Sequence, residues 1–510
     1  MPEKNIQVKK KFQGVSEYND FSLLAVLLVI CLAVGIYQIA TTVLISKDGV
    51  FYITEAQKFS DAPVEVIQKY PFGYTFLVFS AYKIISGLWG ESSLYIWIYS
   101  AQGVSFLGRL LALAALYYLG KYLVGKPKAF WSVFILIILP YPSKMGIDAL
   151  REWPYLLFLV IGFLFLFHGI SKKQWWTFGW VGLSAGLGHM IRPECAQLII
   201  YAMFWLGLSL FKSPRRMKRA AILGAAFILL AGFALPVIPY MKAKGSVLPE
   251  KLQKLKHQDD KEVVSLEKDY HYLHETDNIS KANIYFMKVV RAFIKLTTKL
   301  SENLMYYFMP SWLVGFYIRF RKRAPQNNDE RFLLTLFLLF NISVLLLLYM
   351  NYGYISRRHT LPMVVLTIFN LPAGMRLLTD WLRKILFSSR PQMENILFAV
   401  LLVTGIAICT PKLFRPLGAD KEGYRETARW LSENSDKNDV IAVPDKRVSF
   451  YAQRPGKRIK NGTIPSSAKF LVTIEKNEEA TPPFGQPLRK EYRQWVNKKK
   501  KRIITVYRVQ

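Results

Sequence analysis

Long apolar runs, recurring along most of the chain and separated by short basic clusters, constrain this sequence more than any other feature. Phe21–Ile45, Phe130–Pro140, Pro154–Phe167, Ala220–Tyr240, Phe332–Met350 and Ile396–Cys409 contain no charged residue. A hydrocarbon layer roughly 30 Å thick is crossed by about 20 mostly apolar residues in a helix, and several runs reach that length with their flanks. Within lipid the backbone must satisfy its own hydrogen bonds, so segments of this length cross only as helices. The overall hydrophobic fraction, 52% of 510 residues, would also suit a soluble chain; the clustering is what excludes one.

The expected fold is therefore a polytopic α-helical membrane protein of about eleven transmembrane helices. They are placed near 21–45, 92–119, 127–143, 154–170, 176–190, 195–211, 219–240, 301–320, 331–350, 359–377 and 394–411. Arg192-Pro193-Glu194 divides a stretch too long for one crossing into two short helices. Lys9–Lys11 precede the first run, but that run exceeds a signal-peptide core and lacks small cleavage residues, so it reads as a retained helix. With the N-terminus cytoplasmic, every short inside loop is basic, including Lys121/Lys126/Lys128, Lys172/Lys173 and Arg319/Arg321. The formal net charge of +33 sits outside the apolar spans, in the loops between them and also in the 241–300 loop and the tail that this topology puts outside, which points to anionic membrane lipid and away from nucleic acid. Cys31, Cys195 and Cys409 fall in or beside apolar spans without metal-ligand spacing.

Residues 1–412 thus form a multi-pass membrane domain whose loops 46–91 and 241–300 lie outside, and 413–510 form a small extracytoplasmic α/β domain. In the latter, 423–434 reads as an amphipathic helix, 440–443 as a buried strand and 448–451 as a second helix. Further strands are expected at 470–474 and 503–509. Fewer than a hundred residues make a limited core, so this domain should lean on the membrane part.

Polar knots gather on the outside. Asp48 follows the first span directly, in Ser46-Lys47-Asp48-Gly49; Asp148 sits in Ile147-Asp148-Ala149-Leu150-Arg151-Glu152. Arg192 lies in Gly188-His189-Met190-Ile191-Arg192-Pro193-Glu194, and Arg357 and Arg358 in Tyr354-Ile355-Ser356-Arg357-Arg358-His359. Ionisable groups at a membrane surface are functional candidates, although Asp48 also suits a helix cap and each arginine suits a lipid head group. The HYLHETD run, His271 to Asp277, fits a solvated loop better than a metal site. No Walker or dinucleotide glycine motif is present.

These motifs carry a resemblance. SKDGVFYI (46–53), KYPFGY (69–74), IDALREWPY (147–155), GLGHMIRPE (186–194) and YISRRH (354–359), in this order, resemble the GT-C superfamily of polyprenyl-phosphate-sugar-dependent glycosyltransferases, particularly the family 39 and aminoarabinose-transferase-like branch. The resemblance implies an inverting glycosyltransferase in a bacterial cytoplasmic (inner) membrane. A lipid-linked sugar would pass to a glycan, lipid or protein acceptor on the extracytoplasmic side. It implies Asp48 as catalytic base and Asp148 as a second catalytic acid position, with Lys69, Arg192, Arg357 and Arg358 binding the donor phosphate. Where many relatives carry an acidic pair, this chain has Asp48-Gly49. No metal ligands or cofactor are assigned, and dependence on a divalent metal stays open. A transporter or flippase of lipid-linked saccharides, or a non-catalytic envelope-assembly protein, are the competing readings.

Overall fold

The computed structural model describes residues 19–90, 93–211, 217–245, 281–321, 328–388, 390–459, 463–475, 488–497 and 502–509. In chain order the helices are α1 (Asp20–Ala40), α2 (Lys47–Gln57), α3 (Pro63–Lys69), α4 (Gly73–Trp89), α5 (Leu94–Val124), α6 (Lys126–Ile138) and α7 (Pro140–Met145). They continue with α8 (Glu152–Lys172), α9 (Thr177–Ile191), α10 (Gln197–Phe211), α11 (Arg219–Lys244), α12 (Lys281–Asn303), α13 (Met309–Arg321) and α14 (Asn328–Tyr352). After α15 (Arg357–Thr367), α16 (Leu371–Leu386) and α17 (Met393–Leu413) come α18 (Glu422–Asn434) and α19 (Lys446–Ala452).

Eight helical segments among the described residues are long and apolar enough to cross a membrane: 20–40, 94–124, 152–172, 193–211, 219–244, 328–352, 357–386 and 393–413. The other three expected spans are helical but short, with 13 residues in α6, 15 in α9 and 13 in α13. Pro140 explains the first case, because it cannot donate a backbone hydrogen bond and the chain leaves helical geometry at Leu139 (ψ 118°) before resuming as α7. The stretch 46–90, expected as an outside loop, is largely helical, and its last helix, α4, has 17 residues with Phe76, Leu77, Ile84 and Leu88 exposed.

By its internal contacts the chain divides into two units, one of residues 1–61, 72–157 and 399–510, the other of 62–71 and 158–398. In the first, α1 packs on α5 and α6. Asp20, in its first turn, accepts a hydrogen bond from Tyr117 (3.0 Å) and pairs with Lys121 and Lys126. In the second, α9 lies close against α11: a Cβ at Gly182 would fall 2.0 Å from the Leu229 carbonyl oxygen. Small residues permit such backbone approach between membrane helices.

The C-terminal layer belongs to the first unit. Its strands are β1 (Val440–Val443), β2 (Gly456–Arg458), β3 (Ala468–Glu475), β4 (Leu488–Trp495) and β5 (Ile503–Val509), in the order β2-β1-β3-β5-β4. β1 runs parallel to β2 and β3, whereas β5 is antiparallel to β3 and β4. The helices and three of the strands stand where the hydrophobic pattern predicts them. β2 and β4 do not announce themselves: both are edge strands with mostly polar sequences, GKR and LRKEYRQW, and an edge needs no apolar alternation. One face of the sheet buries Ile441, Val443, Phe470, Val472, Ile504 and Val506 beneath α18 and α19. Leu44, from the linker between α1 and α2, completes that core.

Candidate active site

Four successive backbone amides after α1 are each tied to a distant part of the same unit. The Val43 and Leu44 amides donate to the Leu417 carbonyl (2.9 and 3.3 Å), Ile45 donates to the Tyr451 hydroxyl (3.2 Å), and Ser46 donates to Asp148 Oδ1 (3.0 Å). The carbonyls are held too: Arg425 donates to Thr42 and Val43, and Arg447 to Ile45. A linker with so many backbone groups satisfied has little freedom, and Asp48 follows it by two residues. Lys47, the first residue of α2, pairs with Asp445 at 3.3 Å. Asp445 in turn caps α19 and takes Arg447 side-on, at 3.1 Å to Nε and 2.7 Å to Nη2. Burial pushes the Asp445 carboxyl up, but the Arg447 bonds and the Lys47 charge outweigh it and hold the carboxyl below the usual range.

The cap of α2 is Ser46, whose Oγ accepts from the Gly49 amide at 3.0 Å. Asp48 is therefore not the cap; it stands half-buried in the first turn, where the helix dipole favours an anion. Gly49 explains the missing second acid. A Cβ there would lie 2.9 Å from the Ala149 Cβ and 3.1 Å from the Ala149 carbonyl oxygen. The two acidic loops touch at this point.

Asp148 is 5% exposed and accepts from the amides of both Ser46 (3.0 Å) and Ala149 (2.9 Å). The next turn is anchored by Ser105, which donates to the Leu150 carbonyl (2.8 Å), accepts from the Leu150 amide (3.1 Å) and meets the Tyr74 hydroxyl at 2.7 Å. Arg109 is wholly buried behind it, donating to the carbonyls of Ile137 (3.1 Å) and Ser143 (3.4 Å), with its guanidinium 5.9 Å from the Trp153 ring. Trp153 itself donates to the Pro142 carbonyl (2.9 Å). Arg109 thus shapes the loop that carries Asp148. Sequence reasoning missed Ser46, Ser105 and Arg109, although a lone arginine inside an apolar span is a signal in its own right.

The basic candidates belong to the other unit. Lys69 ends α3, exposed, with its amine 5.7 Å from the Tyr70 ring. Arg192 terminates α9, is mostly buried and pairs with Glu194 at 3.0 Å. Arg357 opens α15, where Ser356 and His359 form a capping box, and lies 3.6 Å from Glu302; Arg358 follows it, half-buried. No three His, Cys, Asp or Glu side chains gather to hold a metal among the described residues, and His271–Asp277 lie outside them.

Helices of this number and length, an acid at the start of α2 and a small sheet domain closing on the linker before it define the class: an integral membrane protein with the GT-C fold. Comparison with known proteins agrees. The family model of dolichyl-phosphate-mannose-protein mannosyltransferases matches residues 78–240, about a third of the chain. The oligosaccharyltransferase of Archaeoglobus fulgidus, solved with Zn and sulfate, superposes with a TM-score of 0.57 at 13% identity, covering 88% of this chain and 67% of that one. ArnT from Cupriavidus metallidurans in the apo state gives a TM-score of 0.50 at 11% identity, covering 95% and 98%. A comparison with curated protein sequences found no match. At these identities the likeness establishes the fold, and the resemblance read from the motifs holds at that level.

Proposed function

We propose that the chain is an inverting glycosyltransferase that moves a sugar from a polyprenyl-phosphate donor to an acceptor on the extracytoplasmic side of a bacterial cytoplasmic membrane. One observation carries this reading: Asp48 is presented on a helix whose start is clamped from two directions, by the C-terminal domain and by Asp148. Rigid support of this kind is what a reacting carboxylate requires. The fold adds to it, since the Archaeoglobus oligosaccharyltransferase has also been solved with an inhibitory peptide and a dolichol phosphate.

In the proposed reaction the acceptor hydroxyl attacks the anomeric carbon and its proton passes to the Asp48 carboxylate. The bond from that carbon to the phosphate oxygen breaks, and the polyprenyl phosphate departs with the electron pair. Asp148 acts through Ser46 as a positioning residue, because its Oδ1 is committed to two backbone amides. Lys69, Arg192, Arg357 and Arg358 are assigned to the phosphate of the donor and leaving group, where charge-assisted hydrogen bonds are strongest. Arg192 and Arg357 would exchange their partners Glu194 and Glu302 for it.

The test offers the purified full-length protein a pool of labelled undecaprenyl-phosphate sugars with an extract of envelope lipids and glycans. Transfer of one sugar with inversion at the anomeric carbon is expected. Retained configuration, or an untouched pool, contradicts the proposal.

A further inference from the structure

A cavity of about 430 Å³ lies within the first unit, walled by α2, the start of α5 and the C-terminal domain around α19. Val50, Thr54 and Gln57 of α2 face it. Helical geometry puts Asp48 roughly 160° round the helix from Val50, so this cavity is separate from the proposed transfer centre. We infer that it is a binding site for a short acidic saccharide, anchoring the acceptor beside the helix that carries Asp48; its acceptor role, not its saccharide binding, rests on the proposed transfer.

The lining suits such a ligand. Trp97, 8% exposed and stacked on Tyr82 at 3.6 Å, supplies a rigid aromatic wall. Around it stand the amides of Gln57 and Gln453 and the amine of Lys446, for which the described residues offer no hydrogen-bond or ion-pair partner. By contrast, Arg454 is consumed internally, donating to Ser435 and to the carbonyls of Ser432 and Ala452. Pyranose rings present C–H faces to aromatics and hydroxyls to amides, and the solvent-exposed ammonium of Lys446 favours a carboxylate or phosphate substituent. The volume holds about one or two such rings.

Backbone strain points the same way. Gln453 sits in the left-handed region, φ 54° and ψ 42°, at the end of α19. Glycine would hold that corner more cheaply, and a long amide kept there against the preference directs attention to what it reaches. The walls are also preorganised, because the Lys47–Asp445–Arg447 pairs join the start of α2 to the start of α19.

The experiment measures binding of digalacturonate, glucose 1-phosphate and maltose to the full-length protein in micelles, by saturation-transfer NMR and calorimetry. An acidic sugar should bind, with maltose at least about tenfold weaker, and Lys446→Ala should remove that preference. Gln453→Gly should weaken binding while the melting temperature stays or rises, which separates ligand loss from unfolding. Digalacturonate but not glucose 1-phosphate would mark a carboxylate site, and the reverse a phosphate site. Equal binding to wild type and both variants, binding lost in Asp48→Asn but kept in Lys446→Ala, or no binding of any probe overturns the inference.

Discussion

Ser46, Asp48, Gly49 and Asp148 divide the work where the two acidic loops meet: one caps, one is presented, one lets the loops meet, and one holds the cap in place. Removing the Asp148 acceptor leaves the amides of Ser46 and Ala149 without it, a loss of about 1–3 kcal/mol. Asp148→Ala should therefore lower kcat while the donor KM is unchanged. Asp148→Asn, which keeps an acceptor oxygen, should stay nearer wild type. Steady-state kinetics of the pair separates positioning from proton transfer. Gly49→Asp would put a second acid beside Asp48, yet its Cβ meets Ala149 at 2.9 Å, so overpacking should lower stability by about 1–3 kcal/mol. Thermal unfolding checks it, with Ala149→Gly in the same chain recovering part of the loss. The sequence displayed Asp48 and Asp148 as acids but offered Asp48 as its own cap. Which of two polar residues two positions apart, Ser46 or Asp48, turns its oxygen on the helix start is a local matter of backbone and side-chain dihedrals, and no periodicity records it.

Among the elements, the linker and α19 behave as one device. Arg447→Ala would leave Asp445, 4% exposed, with only Lys47 and the α19 backbone amide as partners, and losing the guanidinium should cost about 1–3 kcal/mol. Exchange of the Val43–Ser46 amides should then accelerate, which mass spectrometry resolves. The pH dependence has a definite sign. Because the folded Asp445 carboxyl lies below its ordinary range, its stabilisation is present at neutral pH and disappears as pH falls through that range. Unfolding temperature should drop across this acid window in wild type and less steeply in Asp445→Asn. The sequence revealed α18, α19, β1, β3 and β5 because apolar residues cluster or recur in them. The clamp was not legible, since its bonds join residues about 400 positions apart, such as Ile45 to Tyr451, through groups every residue possesses.

Across the molecule, internal contacts group the C-terminal stretch with the beginning of the chain. Residues 399–510 share a unit with residues 1–61 and 72–157, and Leu44 lies in the core of the sheet domain. A chain ended after Leu413 should leave three of the four Val43–Ser46 amides without their acceptors and, with that, lose ordered presentation of Asp48. Hydrophobic runs exposed the membrane architecture in advance, because lipid tolerates few alternatives, whereas packing within each unit depends on glycine contacts and buried polar bonds that hydropathy averages away. The central claim is that Asp48 accepts the proton of the attacking hydroxyl. Its most direct test is sugar transfer by purified Asp48→Asn against wild type, with matching unfolding curves. A loss of about 10²–10⁴-fold in kcat with the donor still bound is the predicted result, and transfer at the wild-type rate would contradict it.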